Sequence, residues 1–221
     1  MATQKRVGVV LSGCGFLDGA EIHEATCTLL SLDRRGAKLV AMAPDVEQMH
    51  VVDHLKGAPA GAEKRRVLEE AARIVRGQIV ELSKVSAKDL DALVFPGGFG
   101  VAKNLCTFAT EGRNMRVLPE VERLAREMRS AGKPQGYICI APVIAAKLFG
   151  ADKVKVTIGN DRDTAAAIES WGARHVECKV EEIAVDERLE IATTPAYMLG
   201  PWIAPIAAGI DKLVSAVLEM A

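Results

Sequence analysis

Gly136-Tyr137-Ile138-Cys139-Ile140-Ala141-Pro142 packs the end of a buried strand, a sharp turn and the start of a helix into seven residues. A strand that turns directly into a helix holds the side chain at its apex over the helix N-terminus, and here that side chain is the thiol of Cys139. The helix dipole and the first N–H groups favour a thiolate, so the cysteine pKa is expected below its ordinary ~8.5. Small Ala141 lets the backbone fold tightly, and Pro142 suits the first helical turn. Free cysteine is also among the most buried residue types, so on spacing alone a reactive elbow and an inert core thiol both stay open.

Around this segment, apolar runs of strand type alternate with helical patterns. Strands are expected over Arg6 to Ser12, Lys38 to Ala43, Ile79 to Val85, Ala92 to Phe95, Gln135 to Cys139 and Val154 to Ile158. Three short ones follow at His175 to Val180, Ile183 to Val185 and Glu190 to Thr193. Helices are expected over Glu21 to Arg35 (closed by Gly36), Arg66 to Arg76 (ended by Gly77), Leu118 to Ser130, Ala141 to Phe149, Asp161 to Trp171 and the tail from Leu199 to Met220. Pro44 to Lys64 reads as irregular and polar, and Ser86 as the cap of a short turn. Alternating β and α units imply an α/β fold, a parallel sheet sandwiched by helices, with the site outside the carboxyl ends of the strands. No linker, repeat or low-complexity tract divides residues 1–221, so one domain is expected.

The chain of 221 residues is 49% hydrophobic and 26% charged, with a formal net charge of -1. That balance fits a globule with a sizeable core and gives no bulk attraction to nucleic acid or an anionic membrane. The basic run Lys64-Arg65-Arg66 is flanked by Glu63, Glu69 and Glu70, as on a solvated helix face. No apolar run approaches the ~18 residues of a membrane span. The N-terminal stretch MATQKRVGVVLSG lacks the pattern of a secretory leader. The five cysteines (14, 27, 106, 139 and 178) are odd in number and show no CxxC spacing, against a disulfide framework or zinc ribbon. These features set the expectation of a reducing cytoplasm.

Two more segments fall at strand ends. Pro96-Gly97-Gly98 follows a buried strand. Paired glycines let backbone approach a ligand and aim N–H groups at developing negative charge, although a plain turn reads equally well. Gly97-Gly98-Phe99-Gly100 lacks the Lys-Ser/Thr of a phosphate loop. Gly19-Ala20-Glu21-Ile22-His23-Glu24 opens the first helix. Carboxylates there favour the dipole, which accounts for Glu21 and Glu24 equally. A carboxylate facing an elbow thiolate would instead have a raised pKa and shuttle protons. His50, His54 and His175 show no ligand spacing.

Taken in order, Gly19 to Glu24, Pro96-Gly97-Gly98 and Ile138-Cys139-Ile140-Ala141-Pro142 resemble the PfpI and Parkinsonism-associated deglycase superfamily, of class I glutamine amidotransferase-like, flavodoxin-like fold. Ser12-Gly13-Cys14-Gly15, Asp18 to Glu24, Gly97 to Leu105, Cys139 to Pro142, Thr157 to Asp161 and Thr193 to Met198 resemble the ElbB family more narrowly, over nearly the whole chain. That family is also called isoprenoid biosynthesis protein with amidotransferase-like domain, and its members are described as glyoxalases. The resemblance implies Cys139 as nucleophile and Glu24 as its partner carboxylate. It implies backbone N–H groups of Gly97 or Gly98, and of Ile140, as the oxyanion hole. Two departures stand out: Ile140 follows the cysteine where protease-like members carry histidine, and Gly159 stands where the deglycase branch has one. No His-x-Glu pair follows near Pro195, so glutaminase activity is not expected. Glu24 would serve alone as base, or His23 would assist.

The expected function is that of a slow glyoxalase that converts glyoxal or a similar small 2-oxoaldehyde to a hydroxy acid and needs neither glutathione nor metal. A homodimer is the expected assembly. The rival readings are a non-enzymatic redox sensor or binding protein using Cys139, and a metal site from Cys14, His23, Glu24 and Cys139.

Overall fold

The computed structural model describes residues 4–221; Met1 to Thr3, part of the stretch read for a leader, lie outside the described residues. Its spine is a sheet of seven strands. These are β1 (Arg6–Val10), β2 (Lys38–Ala43), β5 (Val80–Glu81), β6 (Ala92–Phe95), β7 (Gln135–Ile138), β10 (Ala184–Asp186) and β11 (Ile191–Thr194). They lie in the order β10-β11-β7-β6-β1-β2-β5. All pairings are parallel except β10 with β11. Two small pairs stand apart, β3 (Val52–Asp53) with β4 (Ala58–Pro59), and β8 (Lys155–Val156) with β9 (Arg174–His175).

The central strands are apolar on both faces because helices cover both. On one side, Val7, Val9, Val94 and Ile138 pack on α1 (Ile22–Arg34), α2 (Val67–Ile74) and α7 (Ile203–Met220). On the other, Val10, Leu93, Phe95 and Tyr137 pack on α4 (Pro119–Ser130), α5 (Pro142–Phe149) and α6 (Arg162–Ser170). Alternate residues of one strand therefore feed different cores, as period-two geometry requires. Phe95 and Tyr137, neighbours across β6 and β7, stack at 4.7 Å and 3°. The Tyr137 hydroxyl donates to Gln135 Oε1 at 2.7 Å, so its one polar atom is satisfied inside the core.

The helix ends follow the sequence signals. Gly36 takes φ 69° past α1, and its N–H and that of Ala37 close on Asp33 O and Leu32 O, as a left-handed C-cap requires. Asp161 caps α6 by accepting from Thr164 N at 2.8 Å.

Four expectations change, the first being the strand expected over His175 to Val180, which pairs only as β9 at Arg174–His175. The strand expected over Ile79 to Val85 pairs only at Val80–Glu81 before the chain tightens into a 3₁₀ turn at Leu82–Lys84. The strand expected over Val154 to Ile158 does not join the main sheet, where β11 occupies the edge of β7; beyond β8, Thr157 N donates to the Thr193 side chain at 2.9 Å. A π-helix at Val101–Leu105 and a four-residue α3 (Phe108–Glu111) follow the Gly97-Gly98 turn, where no helix was expected.

Candidate active site

The residues singled out in the sequence converge where β1, β6, β7 and β11 end. Cys139 sits directly after β7 with φ 62°, a left-handed conformation that a non-glycine residue adopts only under surrounding constraint. Part of that constraint is the bond from Cys139 N to Thr194 O at 2.9 Å. α5 then starts at Pro142, as the elbow demands.

The loop after β6 reaches the elbow because it lacks side chains. A Cβ on Gly97 would run into Cys139 Cβ and Glu24 Oε2, and one on Gly98 into the backbone of Gly19 and Glu21. Glu21 N donates to Gly97 O at 2.9 Å, which fixes α1 against this loop. Asn104, in the π-helix, donates to both Ser12 O and Asp18 O at 2.9 Å and so ties the loop after β1 to the same scaffold.

Glu21 and Glu24 have different tasks. Glu21 is the N-cap of α1, and its Oε2 accepts from Glu24 N at 2.7 Å. Glu24 is wholly buried. Its Oε2 accepts from Gly97 N at 2.9 Å and its Oε1 from Tyr197 N at 3.2 Å, and Cys139 stands beside it, since a Cβ on Gly97 would meet both Cys139 Cβ and Glu24 Oε2. Burial, reinforced by the charge of Glu21, pushes the Glu24 pKa up to about 8 against those hydrogen bonds.

The same burial, together with Glu24, raises the Cys139 pKa well above that of a free thiol, while N–H groups of Gly98 and Ile140 pull it down by less. The thiolate expected from the helix N-terminus is thus corrected: desolvation outweighs the dipole, because an anion removed from water loses more than the few N–H groups return. At neutral pH both members of the pair hold their protons. The backbone N–H groups around the pair divide between its two members. The N–H groups of Gly98 and Ile140 act on the thiol by lowering its pKa, whereas the Gly97 N–H is committed to Glu24.

His23 leaves the pair. Its side chain is 52% exposed, and Nδ1 lies 2.6 Å from the Tyr197 hydroxyl, because one residue along a helix turns ~100° away from Glu24. Gly159 has φ 89°, and a Cβ there would meet Leu199 Cγ at 2.6 Å, so the position has no room for an imidazole. Tyr197 has no role in the sequence reading, although its N–H holds Glu24. The available signal was Thr194-Pro195-Ala196-Tyr197, placed directly after a strand like the other site segments. Among the described residues no three His, Cys, Asp or Glu side chains gather as a metal-binding group, so the site proposed from Cys14, His23, Glu24 and Cys139 does not assemble.

A cavity of about 1020 Å³ opens above the sulfur, with Phe16, Phe99, Phe108, Ile140, Tyr197 and Met198 among its walls. Cys139 itself is 7% exposed, so it meets solvent only through this opening. A redox sensor of the expected kind, with an accessible thiol of low pKa, is not what this environment provides.

A human protein, "Glutamine amidotransferase-like class 1 domain-containing protein 3, mitochondrial", is 49% identical over 224 residues, covering 97% of this chain and 83% of that one. The chain belongs to this glutamine amidotransferase-like class 1 domain (ES1) family. A rat member, "ES1 protein homolog, mitochondrial", is 48% identical over 97% of this chain and 84% of its own. The crystal structure of an isoprenoid biosynthesis protein with amidotransferase-like domain from Ehrlichia chaffeensis is 36% identical and superposes with a TM-score of 0.91, covering 98% of this chain and 99% of that chain. Drosophila melanogaster DJ-1beta, 20% identical with a TM-score of 0.58 over 99% of this chain and 96% of its own, shares the fold. No protein-family model matches the chain. The family and fold expected from the ElbB and PfpI motifs therefore stand. The cytoplasmic location does not: the human and rat relatives are mitochondrial proteins. Free thiols argue against an oxidising compartment but do not choose among reducing ones.

Proposed function

We propose that this protein is a glyoxalase that isomerises and hydrates 2-oxoaldehydes through a covalent adduct on Cys139. The observation that carries the reading is the placement of Cys139 and the buried, proton-holding Glu24 side by side against Gly97, at the floor of a cavity with apolar walls. Sulfur adds to the aldehyde carbon as the thiol proton passes to the carbonyl oxygen, giving a hemithioacetal. Glu24, once ionised, takes the proton from that carbon and returns it to the neighbouring one, leaving a thioester. Gly98 and Ile140 N–H groups face the oxygen that gains charge. Water then releases the hydroxy acid and restores the thiol. Glu24 must ionise before it can act as base, and with a pKa about 8 it is mostly protonated at neutral pH. Turnover is therefore slow there and rises with pH.

The test is glycolate formation from glyoxal. Wild type should show saturable turnover, Cys139→Ala and Glu24→Gln should each lose at least ~10²-fold, and His23→Ala should match wild type. Absence of glycolate from the wild type, or full activity in Cys139→Ala, defeats the proposal. A ~10²-fold loss in His23→Ala with the fold intact would mean that the base is assigned wrongly.

A further inference from the structure

The cavity is too large for the simplest substrate. Glyoxal has four heavy atoms, while pockets of about 300–1,000 Å³ hold drug-sized ligands, and the cavity over Cys139 measures about 1020 Å³. Phe16, Phe99, Phe108 and Met198 make much of its wall apolar, which suits a carbon framework beyond the reacting carbonyls.

The charged groups on the wall are Glu21, Asp161 and Arg162, with His23 beside them. The two acids are already engaged. Glu21 caps α1 through Glu24 N, and it stands 4.0 Å from His23 Nδ1. Asp161 caps α6 through Thr164 N, and that hydrogen bonding holds its carboxyl below the usual range. Arg162 differs: among the described residues, no hydrogen bond or ion pair of its side chain is present, and it is exposed at the rim. A guanidinium without a partner, on a residue of the cavity wall, matches the planar fork of a carboxylate or the oxygens of a phosphate.

We propose that the substrate is a 2-oxoaldehyde carrying an anionic group several atoms from the reacting carbonyls, with Arg162 gripping that group while Cys139 attacks the aldehyde. The proposal rests on the glyoxalase reading for its chemistry and on the cavity for its specificity. The balance is R–CO–CHO plus water to R–CHOH–COOH, an internal redox exchange between adjacent carbons that needs no external oxidant or reductant. Arg162 is a specificity-determining residue, because it meets the remote group and not the reacting atoms.

Two aromatic aldehydes of equal shape separate the possibilities: 4-carboxybenzaldehyde and the neutral 4-carbamoylbenzaldehyde. Their dissociation constants are measured by calorimetry on the full chain, as wild type, Arg162→Gln and Arg162→Lys, with wild-type glyoxal turnover measured in parallel. Wild type should bind the carboxylate at least ~10-fold more tightly than the amide. Arg162→Gln should bring the ratio to within about 2-fold, and Arg162→Lys should keep an intermediate preference, since an ammonium supplies charge without the bidentate fork. Equal affinities in wild type, or an unchanged ratio in Arg162→Gln, overturn the anion subsite even if glyoxal is turned over. A carboxylate preference that depends on Arg162, without any glycolate from glyoxal, overturns the 2-oxoaldehyde half and with it the reading on which it rests.

Discussion

Replacing Glu24 by glutamine should change how stability depends on pH. The folded protein holds the Glu24 proton up to a pKa of about 8, against an ordinary value of 4.5. Between those values the folded state binds more protons than the unfolded state, so stability is full below about pH 4.5 and falls as pH rises through the window. Each unit corresponds to about 1.4 kcal/mol, so the whole window amounts to roughly 5 kcal/mol, of which about 3 kcal/mol falls between pH 5.5 and 8.5. Cys139 adds little there, because its thiol stays protonated in both states until pH approaches 9. His175, whose burial lowers its pKa, pulls the other way but is common to both proteins.

Glutamine keeps the shape and cannot titrate. It loses an acceptor towards either Gly97 N or Tyr197 N, which costs about 1–3 kcal/mol at all pH values. Urea titrations near pH 5.5 and 8.5 read the effect as a double difference: wild type should lose about 3 kcal/mol more than Glu24→Gln on going to the higher pH. Equal pH dependence in the two proteins would show that Glu24 is ionised in the folded state at neutral pH, and the proton-holding pair would have to be abandoned.

Two further outcomes follow from the same geometry. Alkylation of Cys139 by iodoacetamide, followed by mass spectrometry, should be slow at neutral pH and accelerate above pH 8; Glu24→Gln should be faster above pH 8, where Glu24 is ionised, because it removes a carboxylate that raises the thiol pKa. An equal or lower rate in the variant counts against the coupling. Gly97→Ala should destabilise by about 1–3 kcal/mol, read by urea denaturation, because its Cβ has no space beside Cys139 Cβ and Glu24 Oε2. A variant as stable as wild type would mean that the loop does not approach the elbow so closely.

Much of the molecule was written in local patterns. The apolar runs at 7–10, 92–95 and 135–138 could be buried on both faces only in a sheet covered by two helical layers, and the order of β and α units made that sheet largely parallel. Gly36 and Asp161 marked helix ends because their conformational and hydrogen-bonding preferences act over a few residues. The strand-to-helix step at Cys139 was legible for the same reason. Register and edge choice were not: whether 154–158 joins the sheet depends on β11, which lies more than thirty residues on.

Which side chains stand at the carboxyl ends of the strands follows from the order of β and α units alone, since topology sends them there. Their ionisation and their partners arise only from packing between distant segments. Glu21 and Glu24 are equivalent in a list of first-turn carboxylates, yet one caps α1 and the other is sealed between Gly97, Tyr197 and Cys139. Whether an elbow thiol is a thiolate depends on how much water reaches it, and desolvation is set by everything packed around a group. Residues 97, 139 and 197 meet at Glu24 only once the sheet has formed, and from that meeting the proton acquires its place.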